Sequence, residues 1–591
     1  MAVFLSNDQF AIDFPYSPNA VAAVKALPGH RYDPPTHVWY VPANADTVAG
    51  VKAFAGRFGL EWKVDAAAFE RLLAKPRLLA ALATALDAPT SLVLPATVHA
   101  TLRPYQRAGV AYMLAAGSAL LADDMGLGKT LQTLTALEAT GAYPALVICP
   151  ASLVLNWRDE AARFLPARSV VALRSSSDKP GSGDIVIASY ANARRRLSRD
   201  VTSLVRFRTI IADEAHYLKN AKSQRSKALL PLLQAAARCG HAYLLTGTPV
   251  TNRPADLIAL LRALGVLDTV FGGWRNFVER YCDGHKEYAG ASVGDVWNIA
   301  GASNLGELGD KLRATCMVRR LKADVLHDLP EKTRTLRRID IDLKAYRAAE
   351  TALLERLEAM SRDEFGSAKG RAEALVLLNG MRQAAGVGKV PAAIETVESY
   401  LSADRKVVVF AHHRAVLQAI ADGARAAARA AGMVPTVAVV TLGGGTPLEE
   451  RHERVDRFQR DPHCKVLVAS TPAAGTGLTL TAASDCVVAE QEWTPAALDQ
   501  AEDRLHRIGQ ADAVEAVHLL ASGTVDEKIA ELVASKRTVV AQVMEGGSAE
   551  APAVPESVVN AVLGEYFERA HGKRRRKSGR KRKTAKASAA A

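Results

Sequence analysis

The stretch "LADDMGLGKT", residues 121–130, follows a short apolar run and leads into a helical pattern. Backbone N–H groups at the start of a helix form an anion site, and glycines let a phosphate come close to the backbone. The usual phosphate-binding loop has a glycine, four residues and then Gly-Lys-Ser/Thr, whereas Asp123 stands here in place of the first glycine. The stretch predicts a strand–loop–helix unit of an α/β fold that binds a nucleotide. It also raises the question of what Asp123 does.

Alternation of short strands and helices occurs in two separate parts of the chain. Apolar runs, each followed by a helical pattern, occupy residues 98–253 and return in residues 404–545, which is typical of parallel sheets covered by helices. Residues 254–403 between them are largely helical by pattern. A chain of 591 residues is too long for one core. We therefore expect two α/β domains with helical insertions between them.

The two ends of the chain differ from this pattern. Residues 1–62 predict a small α+β domain whose hairpin turns at Pro34-Pro35-Thr36. A helical linker is expected at 63–97, a linker and helix at 546–572, and a disordered basic tail at 573–591.

Most of the positive charge lies in that tail. The segment 573–586 contains ten Lys or Arg residues and no acid, and without them the net charge of +13 falls to +3. Such a segment is typical of a non-specific phosphate tether with steep salt dependence. A solubilising end and a nuclear address are the alternatives.

The composition predicts an intracellular protein. The six cysteines are far apart and include no CxxC pair, which favours free thiols in a reducing compartment over a disulfide framework or a zinc site. No apolar run approaches the roughly 20 residues that span a bilayer. We expect a cytoplasmic location in a bacterium or a phage-infected host, a nuclear one in a eukaryote, and no membrane partner.

The loop and a second acidic motif predict ATP hydrolysis. Lys129 can reach the β- and γ-phosphates of ATP, and the Thr130 hydroxyl can hold Mg²⁺. The segment "IIADEAH", 210–216, puts two acids at the end of a strand. Asp213 suits a role as a Mg²⁺ ligand, and Glu214 suits a role in orienting or deprotonating the attacking water. An acidic pair after a strand can also be a plain helix N-cap.

Three further motifs fit the same chemistry. Gln106 can pair with adenine through its amide, unless it is only a solvated helix residue. Thr246 and Thr248 in "LLTGTPVTN" are predicted to couple the ATP site to the substrate groove. Arg504 and Arg507, three residues apart, are predicted to share one helical face and to act as arginine fingers, although surface salt bridges are the commoner use of such residues.

Taken together, "DMGLGKT", "CPASLVLNW", "DEAH", "LTGTP", "VFAHH", "AGTGLTLT" and "DRLHRIGQ" resemble the Swi/Snf-type branch of helicase superfamily two. The resemblance covers roughly residues 98–545. In that family the loop lacks the first glycine, so that Asp123 fits the pattern. The resemblance implies two RecA-like lobes with ATP between them, helical protrusions, and a brace segment at 317–333.

The full predicted site follows from these motifs and the resemblance. The ATP-binding set comprises Arg103, Gln106, Asp124, Gly126, Gly128, Lys129, Thr130 and Gln500, and the catalytic set Asp213, Glu214, Arg504 and Arg507. The metal ligands are expected to be Thr130 and Asp213. The expected DNA contacts are Ser152, Asn156, Ser189, Tyr190, Thr476 and Trp493.

The N-terminal unit contains Phe14-Pro15-Tyr16, Arg31-Tyr32-Asp33-Pro34, Trp39 and Pro42. With these residues it resembles the HARP domain of annealing helicases, which rewind and remodel forked DNA. Tyr32, Trp39 and Tyr40 with Arg31 and His37 can stack on unpaired bases at a junction. A domain of this size also needs aromatic residues for its own core, and the sequence leaves both uses open.

These expectations combine into one hypothesis. The chain is predicted to be an ATP-dependent translocase, with Mg²⁺ as cofactor, that moves on duplex or forked DNA and anneals or remodels it in replication or repair. Three alternatives remain: a remodeller that strips polymerase or nucleoid proteins from DNA, an RNA helicase, and an inactive DNA-binding scaffold. Protein partners and oligomeric state are not readable from the sequence.

Overall fold

The computed structural model describes residues 1–6, 9–173, 175, 178, 181–199, 206–239, 241–250, 253–288, 295–474, 478–545 and 557–572. Thr476, the basic tail and most of the linker before the last helix lie outside these residues. The described chain forms two compact units, one built chiefly from Met1–His327 and the other from Asp328–Thr538 with the helix of residues 558–572.

The N-terminal domain is a five-stranded sheet covered by helices. The strands are β1 (Ala2–Ser6), β2 (Gln9–Asp13), β3 (Arg31–Asp33), β4 (Val38–Pro42) and β5 (Glu61–Trp62), in the spatial order β3-β4-β2-β1-β5. The helices are Pro18–Lys25, which begins at a Ser17 cap, and Ala45–Phe58. The predicted hairpin is present as the antiparallel pair β3–β4.

The helix Ala66–Thr84, here called the connector helix, leads from this domain into the next. Asp65 caps its start by accepting a hydrogen bond from the Ala68 N–H group. The predicted helical linker at 63–97 thus contains one long helix followed by non-helical chain.

The first unit is centred on a seven-stranded parallel sheet. Its strands are buried, except for the half-buried edge strand Val170–Leu173, which explains their continuous apolar runs. Separate apolar cores lie on its two faces. The spatial order is β14-β6-β11-β10-β7-β9-β8. The strands are β6 (Ala119–Leu121), β7 (Ala145–Cys149), β8 (Val170–Leu173), β9 (Ile185–Ser189), β10 (Thr209–Asp213), β11 (Ala242–Leu245) and β14 (Met317–Val318).

The helices around this sheet include those that carry the predicted motifs. They are Pro104–Ala116, Lys129–Thr140, Val154–Phe164, Tyr190–Arg199 and Gln224–Arg238, with short 3₁₀ turns at Ala151–Leu153 and Ala215–Leu218.

The first part of the middle section belongs to the first unit. Its helices are Ile258–Ala263, Val266–Thr269, Gly273–Tyr281, Leu305–Thr315 and Lys322–Val325, after a 3₁₀ turn at Pro254–Leu257. A hairpin of β12 (His285–Tyr288) and β13 (Asp295–Asn298) interrupts them. The sequence pattern did not predict this hairpin because its strands lie largely exposed and carry no apolar alternation.

The second unit is centred on a six-stranded parallel sheet in the order β15-β20-β19-β16-β18-β17. The strands are β15 (Lys332–Ile339), β16 (Val407–Ala411), β17 (Val439–Leu442), β18 (Val466–Ser470), β19 (Asp485–Val488) and β20 (Val514–Ala521). The edge strand β15 pairs with β20 over its full length. The segment predicted as a brace, 317–333, is therefore divided between the edges of the two sheets.

Helices complete the second unit. They are Lys344–Ala359, Arg362–Gly366, Ala368–Gly388, Val390–Ser402, Arg414–Ala430, Pro435–Ala438, Leu448–Arg460, Thr471–Ala474, Pro495–Glu502 and Val525–Glu545. The helix of residues 558–572 packs on the helix Arg362–Gly366 of the middle section. Phe567 stacks there on Phe365, with ring centroids 4.3 Å apart. The prediction of an α/β fold with two parallel-sheet lobes, helical insertions and an α+β N-terminal domain is confirmed. Within the described residues, the helices are too short or too polar for a bilayer crossing.

A buried ion pair holds the helix that follows the phosphate loop. Arg168 donates to Glu138 from Nε and Nη2, both at 2.9 Å, and the Glu138 side chain is only 4% exposed. These hydrogen bonds from Arg168 lower the pKa of Glu138 to about 2. A carboxyl with a depressed pKa stabilises the fold above its unfolded pKa, and this contribution is lost as the pH falls through the folded pKa.

We expect Arg168→Met to lower the free energy of unfolding by about 1–3 kcal/mol at pH 7, because it leaves a buried carboxylate without its main partner. The deficit should shrink between about pH 4.5 and pH 2, as Glu138 takes up its proton. Urea unfolding at pH 7 and pH 3 measures both values. The exposed Arg163 offers the matched change, Arg163→Met, and an Arg168→Met deficit that is equal at both pH values would contradict the assignment.

Candidate functional site

The phosphate loop connects β6 to the helix Lys129–Thr140, as the sequence predicted. Gly126 and Gly128 have φ values of 84° and 74°, a region that favours glycine. A Cβ atom on Gly128 would lie 2.4 Å from Nε2 of Gln106. The loop therefore requires glycine there for both its conformation and its packing.

Lys129 folds back over the loop that carries it. Its Nζ donates to the backbone oxygens of Asp123 at 2.7 Å and Asp124 at 3.2 Å. Burial lowers the pKa of Lys129, and the nearby carboxylates of Glu214 and Asp213 oppose that shift. The ammonium group thus lies at the loop, among acids, where an incoming phosphate can replace the backbone oxygens as its partner.

Asp213 lies at the carboxyl end of β10 and is nearly buried. Its Oδ2 accepts a hydrogen bond from Nε1 of Trp157 at 2.8 Å, and its Oδ1 accepts one from the Glu214 N–H group at 2.9 Å. Burial and then the charge of Glu214 raise the pKa of Asp213 to about 6, while the bond from Trp157 opposes the shift. Each carboxylate oxygen keeps a second lone pair for another ligand.

Glu214 is held in an uncommon conformation and joined to the predicted coupling segment. Its φ is 52°, in the left-handed region that non-glycine residues rarely adopt. His216 Nδ1 lies 3.2 Å from Glu214 Oε2 and 3.1 Å from Thr246 Oγ1. Thr246 Oγ1 also accepts a hydrogen bond from the Thr248 N–H group at 3.1 Å. His216 therefore lies between the Glu214 carboxylate and the "LTGTP" turn, and it is hydrogen-bonded to that turn through Thr246.

Two arginines that the sequence analysis did not single out contact the same loop. Arg319 donates to the backbone oxygens of Ala122 at 3.0 Å and Gly247 at 3.1 Å, and its Nη2 lies 3.1 Å from Asp124. Arg320 lies 3.5 Å from the buried Asp123. The acid in place of the first glycine is therefore one half of an ion pair. No local pattern could have shown this, because the partner is distant in sequence.

The predicted adenine residues lie beside the loop. Gln106 is buried, accepts a hydrogen bond from the Arg103 N–H group at 2.9 Å and donates one to the Leu127 oxygen at 3.2 Å. The Arg103 side chain is exposed, and Thr130 is half-buried in the first turn of its helix. Gln500 is half-buried in the helix Pro495–Glu502 of the second unit. Their contacts to a nucleotide remain predictions.

The prediction that Arg504 and Arg507 share one helical face is wrong. The helix ends at Glu502, and both arginines lie in the turns that follow. Arg507 Nη1 donates to the Leu478 oxygen and to Thr479 Oγ1, at 3.0 and 3.1 Å. Arg504 is buried, and its backbone oxygen accepts a hydrogen bond from Leu480.

Glu502, the last residue of this helix, is fixed by a buried ionic cluster. Its fully buried carboxylate accepts two hydrogen bonds from Nε of Arg334, at 2.9 and 2.7 Å, and lies 3.2 Å from Lys332 and 3.1 Å from His518. These partners hold the pKa of Glu502 well below its usual range, against the effect of burial. The edge strand β15 thus positions the segment that carries the two arginines.

The predicted DNA contacts in the first unit differ in exposure. Ser152 and Asn156 are half-buried, whereas Ser189 and Tyr190 are buried. The Tyr190 hydroxyl donates to the Asp213 backbone oxygen at 2.9 Å, and its ring stacks on Tyr217. Tyr217 is 38% exposed and is the accessible ring of that stack.

In the second unit, Trp493 is half-buried beneath a cationic neighbour. The guanidinium carbon of the buried Arg382 lies 4.3 Å from the Trp493 ring centre. His413 Nδ1 lies 2.6 Å from Glu490, and His412 Nδ1 lies 2.9 Å from Glu492. The other predicted contact, Thr476, lies outside the described residues.

These features define a class of protein. A phosphate loop follows one strand of a parallel sheet, and an acidic pair ends a second strand. A "TGT" turn ends a third strand and is hydrogen-bonded to His216, two residues after that pair. A second parallel sheet carries the arginine segment. The chain is a phosphate-loop protein of the helicase type with two parallel-sheet lobes.

Comparison with known proteins gives the family. The model of the SNF2-related domain matches residues 105–385, and that of the helicase conserved C-terminal domain matches residues 392–509. A Caenorhabditis elegans protein, the homolog of SWI/SNF-related matrix-associated actin-dependent regulator of chromatin subfamily A-like protein 1, is 33% identical over 563 residues. The match covers 91% of this chain and 75% of that protein. The chain belongs to the Swi/Snf family, and its SNF2-related domain implies ATP binding.

Other relatives are longer. The Bos taurus and Homo sapiens proteins named DNA annealing helicase and endonuclease ZRANB3 are each 34% identical over 77% of this chain. The chain spans 41% of the length of each. A solved Sulfolobus solfataricus SWI2/SNF2 ATPase core in complex with double-stranded DNA is 26% identical, with a TM-score of 0.36, over 77% of this chain and 96% of that one.

Proposed function

We propose that the chain is a DNA-stimulated ATPase that moves along duplex or forked DNA and anneals or remodels it in replication or repair. The observation that carries the proposal is the position of His216, which lies 3.2 Å from the Glu214 carboxylate and is hydrogen-bonded to Thr246 in a turn beside the phosphate loop. Membership of the Swi/Snf family and the name of the ZRANB3 relatives, DNA annealing helicase, support DNA as the partner.

ATP is the proposed substrate of the phosphate loop. Lys129 would hold the β- and γ-phosphates, the loop around Gly126 and Gly128 would bind them through N–H groups, and Gln106 with Arg103 would contact the adenine end. Asp124 and Gln500 complete the proposed set.

Mg²⁺ fits the donor set at this site. Thr130 and Asp213 offer hydroxyl and carboxylate oxygens, the hard ligands that Mg²⁺ prefers, and both Asp213 oxygens retain a free lone pair beyond the bonds from Trp157 and Glu214. When bound, Mg²⁺ would neutralise charge on the phosphates. The protein's own part is to fix the Asp213 carboxylate through Trp157.

Glu214 is the proposed residue that orients and deprotonates the attacking water. Its backbone conformation and its contact with His216 set the direction of the carboxylate. Thr246 and Thr248 would pass a change at Glu214 to the DNA-binding surface. Arg504 and Arg507 are proposed to stabilise charge on the transferred phosphate.

DNA is proposed to be held mainly through its phosphates, with little sequence preference. The half-buried Ser152, Asn156 and Trp493 are the contacts that the structure favours. Tyr190 is buried and bonded within the protein, so its neighbour Tyr217 replaces it as the proposed surface ring. Since DNA is the partner, the protein is proposed to work where its DNA lies, in a bacterial cytoplasm or a eukaryotic nucleus.

The N-terminal domain separates its aromatic residues between two faces. Trp39 packs in the core, whereas Tyr40 lies in the opposite cross-strand row, between Arg31 and Ala11 in register. The guanidinium of Arg31 lies 4.9 Å from the Tyr40 ring centre. Phe4, 38% exposed, continues the row on β1. This row is the proposed stacking surface for unpaired bases at a junction.

We expect Tyr40→Ala to weaken binding to forked DNA by about 5- to 160-fold, because stacking on one base contributes about 1–3 kcal/mol. Duplex-stimulated ATPase should stay within about twofold of wild type. Tyr16→Ala, which removes a ring that is 84% exposed outside this row, is the control. Equal affinity of the two variants for forked DNA would contradict the proposal that this row stacks on unpaired bases at a junction.

One experiment tests the whole proposal. ATPase rates are measured with forked, duplex and single-stranded DNA and with RNA, followed by annealing of strands coated with single-strand-binding protein. Stimulation by RNA and not by duplex DNA would overturn the DNA assignment. Stimulation by duplex DNA without annealing would favour the remodeller that displaces protein.

A further inference from the structure

Arg320 contacts the phosphate loop and a helix outside the parallel-sheet core at the same time. It follows β14 at the edge of the first sheet and is 4% exposed. Nη1 lies 3.5 Å from Asp123 Oδ1. Nε and Nη2 donate to the backbone oxygens of Ala85 and Leu82, both at 3.3 Å. One guanidinium therefore joins the loop to the end of the connector helix.

Gly109, which has no side chain, leaves the space that the side chains of Gln132 and Arg320 occupy. A Cβ atom on Gly109 would lie 1.9 Å from Gln132 Oε1 and 3.3 Å from Arg320 Nη1. Gln132 in turn donates to the second oxygen of Asp123 at 3.1 Å. Because Asp123 is fully buried, its charge depends on these few partners.

The position of Asp123 also sets the position of Lys129. The Asp123 backbone oxygen accepts the hydrogen bond from Lys129 Nζ at 2.7 Å, while its side chain faces Arg320 and Gln132. A displacement of Arg320 therefore alters the loop at the residue that holds the phosphate-binding lysine.

The connector helix packs on two different cores. Phe69 and Leu72 in its first half contact the core of the N-terminal domain, and the Phe69 ring lies 5.5 Å from that of Phe10. Leu79 and Leu82 in its second half are buried in the core of the parallel sheet. The helix thus extends from the N-terminal domain to Arg320.

Pro76 separates the two halves. A proline inside a helix lacks the N–H group for the bond to the residue four positions earlier, which makes this the easiest place for the helix to bend. The backbone oxygens at the end of the second half carry the partial negative charge of a helix terminus. They attract the Arg320 guanidinium, so that a movement of the helix end moves the guanidinium with it.

We propose that Arg320 is a positioning residue through which the connector helix, and hence the N-terminal domain, regulates nucleotide affinity at the phosphate loop. The inference rests on the proposed nucleotide site, but not on any activity with DNA. Loosening the helix end displaces Arg320, withdraws charge compensation from Asp123 and weakens nucleotide binding. A junction-bound N-terminal domain would act on the ATP site by this route.

The test measures ADP affinity by calorimetry in the full chain. Leu79→Ala loosens the helix end without touching the loop, and we expect it to raise the Kd for ADP about fivefold. Leu233→Ala is the matched control, since it removes the same atoms from a fully buried leucine in the core on the other face of the sheet. It should leave the Kd within about 1.5-fold of wild type.

In the second part of the test, the effect of Leu79→Ala is measured in an Arg320→Lys background. A lysine keeps the charge beside Asp123 but lacks the planar fork that reaches both helix oxygens. In that background the fivefold effect of Leu79→Ala should fall below about 1.5-fold. If Arg320→Lys does not fold, Asp123→Asn, which removes the loop's charge at constant shape, takes its place with the same expectation.

Two results would overturn the inference. One is an unchanged ADP Kd in Leu79→Ala with a melting temperature lowered as much as in Leu233→Ala. The other is an equal fold-change of Leu79→Ala in both backgrounds. Neither depends on DNA: wild-type protein that binds ADP but lacks DNA-stimulated ATPase would contradict the proposed function and leave this test intact.

Discussion

Replacing Arg507 with alanine is expected to lower the DNA-stimulated ATPase rate by about 10³-fold, since arginines that stabilise a transferring phosphate contribute about 10³- to 10⁵-fold to the rate. Arg507 is half-buried, and its Nη1 atom is fixed by Leu478 and Thr479, so the guanidinium is pre-oriented. The Kd for ADP should change by less than about threefold, because ADP lacks the transferred phosphate. Single-turnover hydrolysis at saturating ATP and DNA measures the effect.

Two variants control for charge and folding. Arg507→Lys keeps the charge but not the fork, and we expect it to recover little of the rate. Arg429→Ala removes an exposed arginine of the same unit and should leave the rate unchanged. A rate for Arg507→Ala within tenfold of wild type, with the melting temperature preserved, would exclude Arg507 as an arginine finger.

The strands that carry the motifs were predictable from sequence because they are buried on both faces. Such strands appear as continuous apolar runs, and β7, β9 and β10 are buried at every position. The phosphate loop and the acidic pair follow such strands directly. Their presence at one edge of the sheet therefore followed from local pattern and parallel topology.

The edge strand β15 does not show such an apolar run in the sequence. Six of the eight residues of β15 are exposed, and its sequence, "KTRTLRRI", shows no apolar alternation. Only its pairing with β20 makes it a strand. Glu502, at the end of the helix before Arg504 and Arg507, is bonded to Lys332 and Arg334 of that same strand.

Ion pairs and hydrogen bonds between residues distant in sequence were also not predictable. Asp123 was accounted for by family pattern, but its physical partner, Arg320, follows the edge strand β14 and is distant in sequence. Trp157 stood within a recognised motif without a role, and its indole N–H group proves to fix Asp213.

The second large effect is expected at Glu214. Glu214→Gln should lower ATP hydrolysis by about 10³-fold, within the range of about 10²- to 10⁴-fold that general base catalysis contributes. The amide keeps the size of the side chain but cannot take a proton from water. ATP affinity should be retained, because Lys129 and the loop are unchanged. Glu279→Gln, on an exposed helix of the same unit, is the control.

A pH profile separates this chemical role from a structural one. The charge of Glu214 is one cause, after burial, of the raised pKa of Asp213. Removing that charge lowers the Asp213 pKa in the nucleotide-free protein. The acid limb of kcat/KM, which reports the free enzyme, should therefore move to lower pH. A variant that merely misfolds loses rate at all pH values, lowers its melting temperature and shows no such shift. A hydrolysis rate within fivefold of wild type would instead show that another group deprotonates the water. The hydrogen bond between His216 and Thr246 would then no longer connect the general base to the "LTGTP" turn.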